Sequence, residues 1–510
     1  MALALVAPQV KNYRGGYVTV KAIRLQNFMA FRDTGWVELH PITLLFGRNS
    51  SGKSTILRAL RLLRQSLNPR ANDEPLIFTD ENGIDLGEFA SVVHDQDKSK
   101  SMVFGFRCGP LKYLREIRVN AVRRNPAWRA EVTDEADWAE IELAFSLGDD
   151  DTVQLVAVHV AALSGKDDQD RLNILGAYRL DAELSRLFNN DEWYLSSDCL
   201  SPAEDEELRN RWTGVNISRI SGFLPQLSRF DVRAEKSTWL QEELWQAESL
   251  LGEIREEIRD YLARLVFLDA IRPESQRVYT FDRSTQKRWE LHGLEAFLKF
   301  LSGRLPPDQL AEIDHWLVHL DLGVEARAIR RSSADAILTE FQVQLRERGV
   351  GLAINLSDVG VGAAQILPII IQMVVGLPGT AVVGEQPELH LHPRAQARLG
   401  DLFIAAKQRG VNCIIETHSE HLLLRLQKQI ARTTAGEIPI GERGQMLLPN
   451  QLAVYFVNRK DGVSTTTQIE VGPYGDLLST PEGFEDFFSD DMIETAERMR
   501  VRLASMRKDG

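Results

Sequence analysis

The chain is poor in the features that tie a protein to an oxidising compartment, a membrane or a nucleic-acid surface. Its 510 residues hold three cysteines, Cys108, Cys199 and Cys413, odd in number and far apart. That spacing argues against a disulfide framework or a zinc site and points to a reducing cytoplasm. No apolar run approaches the roughly 20 residues of a membrane helix. The best candidate, Ile366 to Leu377, is broken by Pro368, Gln372 and Gly376. The opening MALALVAPQVKNYRGGY has no basic segment ahead of its apolar residues and reads as a short tail, not a leader. Basic surplus is also missing. The net charge is −13, so bulk electrostatics do not hold this chain to nucleic acid, and any such contact needs a local patch or a partner. Short-period repeats and low-complexity tracts are absent too.

What is present is an ordinary globular composition, 44% apolar and 26% charged, and a split arrangement of motifs. One phosphate-binding motif lies near residue 50, and further active-site-like segments lie between 355 and 420. A nucleotide site drawn from both ends implies that the middle is inserted into one α/β unit. Val20–Phe31 (VKAIRLQNFMAF) alternates as an opening strand, and Pro41–Phe46 (PITLLF) is a short buried strand. Ile56, Leu57, Leu60 and Leu63 recur at helical spacing with Arg58, Arg61 and Arg64 opposite. From about 100 to 180 the pattern turns to strands, MVFGF, EIELAFSL and VQLVAVHVA, separated by polar turns such as Gly148–Thr152.

Thr238 to Leu265 is different. Thr238 and Gln241 resemble a capping box. Leu240, Leu244, Ala247, Leu251, Ile254, Ile258, Tyr261 and Leu265 then keep spacings of four and three, a heptad seam on a helix about 40 Å long. A long core helix and a short protruding coiled-coil arm both fit. More helix is expected over Leu291–Leu320, a hairpin turn over Arg346–Val350, a strand pair near LAVYFV and TTTQIEV, and an acidic helical tail.

Four segments carry chemistry. Gly47-Arg48-Asn49-Ser50-Ser51-Gly52-Lys53-Ser54 matches GxxxxGK[ST] in full, with a strand before it and an apolar-faced helix after. In such a loop the glycines at Gly47 and Gly52 let backbone N–H groups, with those of Asn49 and Ser51, turn toward phosphate. Lys53 brings a point charge to the β/γ-phosphates, Ser54 offers a hydroxyl to Mg²⁺, and the helix from Thr55 adds its positive end. In TAVVGEQPELHLHP (380–393), Glu385 sits just past a buried strand, where a carboxylate reaches Mg²⁺ beside the P-loop. His390 and His392 lack a third ligand at plausible spacing. In VNCIIETHSEHLLL (411–424), a strand ends at Glu416-Thr417-His418-Ser419, and His418 is placed to hydrogen-bond a γ-phosphate. In NLSDVGVGAAQ (355–365), Ser357, Gly360 and Gly362 form a tight turn at a helix start, an anion-binding arrangement.

GRNSSGKST, LSDVGVG, GEQPELHLHP and ETHSEH, in that order, resemble the ABC-ATPase heads of the RecF/SMC/OLD class, and IRLQNFMAF resembles the strand that opens them. The match covers about 20–70 and 335–425. The resemblance implies an ABC-type P-loop ATPase head that binds ATP and Mg²⁺. It also implies head-to-tail dimerisation around ATP. Lys53, Ser54, Glu385 and His418 act from one protomer, and Ser357, Gly360 and Gly362 reach the γ-phosphate from the other as the signature loop. Two departures stand out. His392 occupies the D-loop aspartate position, and the catalytic-base position is Gln386, not an acid. Glutamine orients water but cannot take its proton, and a general base typically contributes ~10²–10⁴-fold, so slow hydrolysis and a long-lived ATP-bound dimer are expected unless Glu388 or another acid substitutes. By the same resemblance the setting is prokaryotic anti-phage defence, the chain serving as sensor or scaffold beside a separate nuclease or toxin effector. A RecF-like DNA-repair loader and a non-hydrolysing ATP clamp are the alternatives.

OLD nucleases add a Toprim domain, which needs an Asp-x-Asp pair after a strand. The residues after His418 lack one, and no histidine follows His421, so no nuclease is expected here. The tail PEGFEDFFSDDMIE holds six acids and no base, a solvated helix or a docking segment. Arg107, Lys112, Arg115, Arg118, Arg123, Arg124 and Arg129 form a basic stretch with Tyr113 and Trp128 interleaved. It is either a solvated surface or a site for DNA or an acidic partner. The expected organisation is an N-terminal head part (18–95), an inserted antiparallel β-subdomain (96–185), a helical region (186–335), a C-terminal head part (336–430) and a tail subdomain (431–510).

Overall fold

The computed structural model describes residues 19–67, 74–80, 83–112, 138–148, 150–163, 179–184, 193–197, 216–221, 223–228, 238–268, 277–281, 295–331, 339–347, 349, 351–438 and 445–484. The strands of the first half are β1 (Thr19–Phe28), β2 (Phe31–Asp33), β3 (Val37–Glu38), β4 (Ile42–Phe46), β5 (Met102–Gly109), β6 (Trp138–Leu147), β7 (Val153–Leu163), β8 (Arg179–Leu184) and β9 (Trp193–Ser197). A hairpin of β10 (Asn216–Ser221) and β11 (Leu224–Ser228) follows, then β12 (Leu265–Leu268), β13 (Tyr279–Phe281), β14 (Glu325–Arg330), β15 (Thr339–Arg346) and β16 (Ala353–Asn355). The last four are β17 (Ala381–Glu385), β18 (Asn412–Glu416), β19 (Leu452–Lys460) and β20 (Val463–Ile469). The longer helices are α1 (Lys53–Gln65), α2 (Thr238–Ala263), α3 (Glu295–Leu301), α4 (Pro307–His319), α5 (Val361–Val375), α6 (Pro393–Gln408) and α7 (Glu420–Thr434).

One sheet of fourteen strands runs β12-β17-β18-β4-β19-β20-β2-β1-β5-β6-β7-β8-β9, with β3 on β1. Its β12-β17-β18-β4-β19 block is parallel. Strands covered on both faces read as unbroken apolar runs, and β4 is buried at all five positions. From β1 to β9 the sheet is antiparallel. The class is α/β, as expected.

Several boundaries differ from the expectation. The run Val20–Phe31 is two strands, because the chain turns at Met29 and Ala30 and pairs Phe31 back on Phe28. The described strands of 96–185 are antiparallel, as expected, and β5 pairs directly with β1, so they extend the same sheet. In 431–510, β19 is the parallel neighbour of β4. Sequence distance hid both pairings. Between 186 and 335 strands alternate with the helices. Leu265 leaves the heptad helix and opens β12. The loop 346–350 does join antiparallel partners β15 and β16. The acidic tail beyond Phe484 lies outside the described residues.

The sheet divides two cores. On one face α1 and α2 pack under β1 and β5, with Leu45, Val383, Ile414 and Tyr455 facing them. On the other, α3 to α7 cover Leu44, Val382, Ile415 and Phe456. Alternation along each strand makes this division. The described half of α2 belongs to the first core. Leu251, Ile254, Ile258 and Leu262 are at most 3% exposed, which favours the core helix over a projecting arm for that half.

Candidate functional site

The loop Gly47–Gly52 leaves the end of β4 and enters α1, whose first residue is Lys53, two earlier than the sequence reading placed it. Two close approaches shape it. A Cβ on Gly47 would meet Val457 O at 2.3 Å, and one on Gly52, held at φ 109°, would meet Ser464 Oγ at 2.8 Å. Ser464 Oγ also donates to Ser51 O at 2.6 Å. The β19–β20 pair therefore walls the loop, a role no motif in that segment announces. Arg48, Asn49 and Ser50 stand exposed at the crown, while Ser51 and Thr55 are buried.

Lys53 is 3% exposed. Its ammonium donates to Gly47 O at 2.8 Å and Arg48 O at 2.9 Å and lies 3.7 Å from Glu416 Oε1. Burial lowers its pKa, and the charges of Glu416 and Glu388 oppose that shift. Ser51 Oγ is buried with no hydrogen-bond partner. A buried hydroxyl without a partner and a lysine resting on loop carbonyls fit a loop able to receive phosphate oxygens.

In the sheet β18 lies between β17 and β4. Glu385, at the tip of β17, lines a small cleft against the flank of α1 with Arg58, Arg61 and Phe267. The tip of β18 is nearer the P-loop, and Ser54 Oγ donates to Glu416 Oε2 at 2.7 Å. Glu416 had been read only as part of the strand end before His418. Its signal was its place at a strand tip, but the order of the strands was not legible.

Behind these tips the turn after β17 is fastened to the turn after β18. Gln386, at φ 42°, donates its N–H to Glu416 O at 2.8 Å. Glu388 Oε1 accepts from Thr417 Oγ1 at 2.7 Å and from the His418 N–H at 2.8 Å. Glu388 is 6% exposed, and burial raises its pKa. With one oxygen bound to the His418 turn, it is a brace in this arrangement and does not face a water-accessible surface. Ser419 Oγ caps α7 through the Leu422 N–H and donates to Gln396 Oε1 at 2.8 Å. Burial, and then the charge of Lys53, lower the His418 pKa to about 4, so the ring is neutral near pH 7.

The remaining sequence candidates separate. His392 is the N-cap of α6, its Nδ1 accepting from the Ala395 N–H at 3.2 Å. Ser357, in a short 3₁₀ turn, bonds to Asn355 and Asp358, and among the described residues none of its hydrogen bonds reaches the P-loop. Gly362 is required by packing, since a Cβ would meet His390 O at 2.7 Å, whereas a Cβ on Gly360 would meet nothing within 4 Å. Arg107 leaves the basic stretch. It pairs with Glu38 and with Glu140 at 2.7 Å and lies over the Trp36 ring, so its charge is already matched. The rest of that stretch beyond Lys112 lies outside the described residues. No helix among the described residues is long and apolar enough to cross a membrane.

Comparison with solved structures finds SMC heads. One is an Smc head bound to the C-winged helix domain of ScpA, at 11% identity, covering 89% of this chain and 98% of that one, with TM-score 0.40. Another is an Smc head with an extended coiled coil bound to the C-terminal domain of ScpA, derived from Pyrococcus furiosus, at 11% identity, 89% and 97% coverage and TM-score 0.35. A third is the Thermotoga maritima SMC head, at 12%, 89%, 100% and 0.31. Scores this low bear on neither mechanism nor partners. No curated protein matches the chain. One family profile does match, over residues 42–425, from the P-loop strand to the helix after His418. The chain therefore belongs to the ATPase family described as "AAA domain, putative AbiEii toxin, Type IV TA system".

Proposed function

We propose that this protein binds ATP with Mg²⁺ at Gly47–Thr55 and hydrolyses it slowly, as a head-to-tail dimer. The observation that carries the reading is the buried Lys53 ammonium on a complete P-loop, beside a Ser54 hydroxyl held by a strand-tip carboxylate. Ser54 and the acids at the tips of β17 and β18 are the residues suited to Mg²⁺, which supplies charge neutralisation to a phosphoryl group. Lys53 holds phosphate, neutral His418 offers a hydrogen bond toward the γ-phosphate, and Gln386 orients water without accepting its proton. Gly360 supports a partner. Packing within the chain leaves room for a side chain there, yet the residue is glycine, as a loop pressed against a second copy would need. Within the family, a cytoplasmic role in prokaryotic defence, as an ATP-gated sensor, scaffold or toxin component beside a partner protein, fits its description.

The test is steady-state ATP turnover alongside native mass with and without ATP, on protein alone and co-expressed with the products of adjacent genes. The expected results are turnover below about one per second, its loss in Lys53→Ala, and a doubling of mass with ATP. Turnover well above that rate and abolished by Lys53→Ala contradicts the slow site. A monomer in every condition contradicts the dimer. Gln386 also favours a second reading, a clamp that binds ATP without turnover, for which dimerisation persists while no phosphate is released.

A further inference from the structure

The P-loop motif offers the Ser54 hydroxyl to a divalent cation but does not say what holds its proton. Here Ser54 donates to Glu416 Oε2 at 2.7 Å. A hydroxyl that donates to a carboxylate keeps its oxygen lone pairs for a cation, and the bond makes that oxygen a better ligand. Glu416 is 5% exposed, so bulk water does little to dilute this effect. Its strand is in register on both sides, with Glu416 opposite Glu385 on β17 and Leu45 on β4. Register partners in parallel strands point to the same face about 4.8 Å apart, so both side chains leave the sheet on the α1 face.

The tip is held from behind. Thr417 donates its N–H to Leu45 O at 3.1 Å and its hydroxyl to Glu388 Oε1. The other oxygen of Glu388, Oε2, is buried with no hydrogen-bond partner, and its carboxylate is close enough for its charge to act on both Lys53 and Glu416. The Lys53 ammonium is set against these acids, and Arg58 and Arg61 line the cleft with Glu385. A buried acceptor without a hydrogen-bond partner near these carboxylates fits a site that receives a cation. Among the described residues no three His, Cys, Asp or Glu side chains converge on one point. That suits Mg²⁺, which takes one or two carboxylates and completes its shell with phosphate oxygens and water.

We propose that Glu416 completes the divalent-cation site of the P-loop by accepting the hydrogen bond of the Ser54 hydroxyl, which leaves the lone pairs of that oxygen for the cation. Glu416 is thus a positioning residue acting through Ser54, and the inference rests on the ATP-binding reading above.

The experiment measures binding of a fluorescent ATP analogue to the full chain, in EDTA and across a Mg²⁺ titration. Glu416→Gln removes the charge but keeps an acceptor. It is expected to raise the half-saturating Mg²⁺ concentration by about 10–100-fold, and Glu416→Asp restores part of the loss. Should the glutamine variant not fold, Glu416→Asp and Ser54→Ala give the same reading through a cycle. Because both act through one oxygen, the double variant should be no worse than Ser54→Ala alone. Wild-type Mg²⁺ dependence in Glu416→Gln, or full additivity in the cycle, overturns the assignment. If the wild type binds nucleotide tightly but with no Mg²⁺ dependence, Glu416 has no such role while the ATP reading stands. If it binds none in either condition, both fall.

Discussion

At the scale of single residues, His418 shows how placement sets a charge state. Burial, followed by the charge of Lys53, lowers its pKa from 6.5 to about 4. A group protonated more readily in the unfolded chain makes stability rise with pH through the interval between the two values. The neutral ring therefore contributes fully above about pH 6.5, and that contribution is lost as pH falls toward 4. Denaturant midpoints recorded from pH 7 to pH 4 should fall more steeply for the wild type than for His418→Gln, and equal slopes would refute this. At the same scale Lys53→Ala should weaken ATP affinity by at least about tenfold, since hydrogen bonds to a charged group are worth about 1.5–3 kcal/mol. Equilibrium binding of a labelled nucleotide reads this directly.

Among the elements, α2 carries the clearest energetic statement. Its heptad spacing fitted a projecting arm as well as a core helix, because period alone does not say what covers a seam. The described half is covered by β1, β5 and α1. Ile258 is 0% exposed within that core, so Ile258→Ala should destabilise the fold by about 2–5 kcal/mol. A projecting seam would lose far less, and chemical denaturation separates the two. Across the sheet, Asp401 on α6 gathers α4 and α7 by accepting from His319 Nε2 at 2.9 Å and from Arg425 Nε and Nη2 at 2.8 Å each. The hydrogen bonds from His319 and Arg425 bring its carboxyl below the ordinary value, against a burial that would raise it. Charge pairing thus fixes the helices behind the His418 turn in addition to apolar packing.

For the whole molecule, segments from the two ends of the chain meet in one parallel block, and the P-loop and the acids lie at its strand tips. Gly360 sits exposed at the N-terminus of α5 with space around it. Gly360→Arg should therefore leave the thermal unfolding of the isolated chain within about 0.5 kcal/mol of wild type, the usual range for surface changes. It should also abolish the ATP-dependent doubling of native mass. A variant that still doubles excludes this loop from the contact, and one that melts early shows that the glycine serves the chain's own fold.

The local chemistry of this protein was determined by its sequence. The P-loop, its flanking strand and helix, the turn at Ser357–Gly362 and the strand ends at Glu385 and Glu416 are short-range patterns, in which neighbours along the chain dictate backbone and hydrogen bonding. What only the tertiary structure decided is which strands lie side by side. Parallel pairing joins residues hundreds of positions apart, and each strand's apolar run fits several neighbours equally well. The order β17-β18-β4-β19 therefore could not be read ahead of the fold. That order brings Glu416 to the Ser54 hydroxyl, sets Glu385 against α1 and walls the P-loop with β19 and β20, while the antiparallel pairing of β3, β1, β5 and β6 brings Glu38 and Glu140 to Arg107.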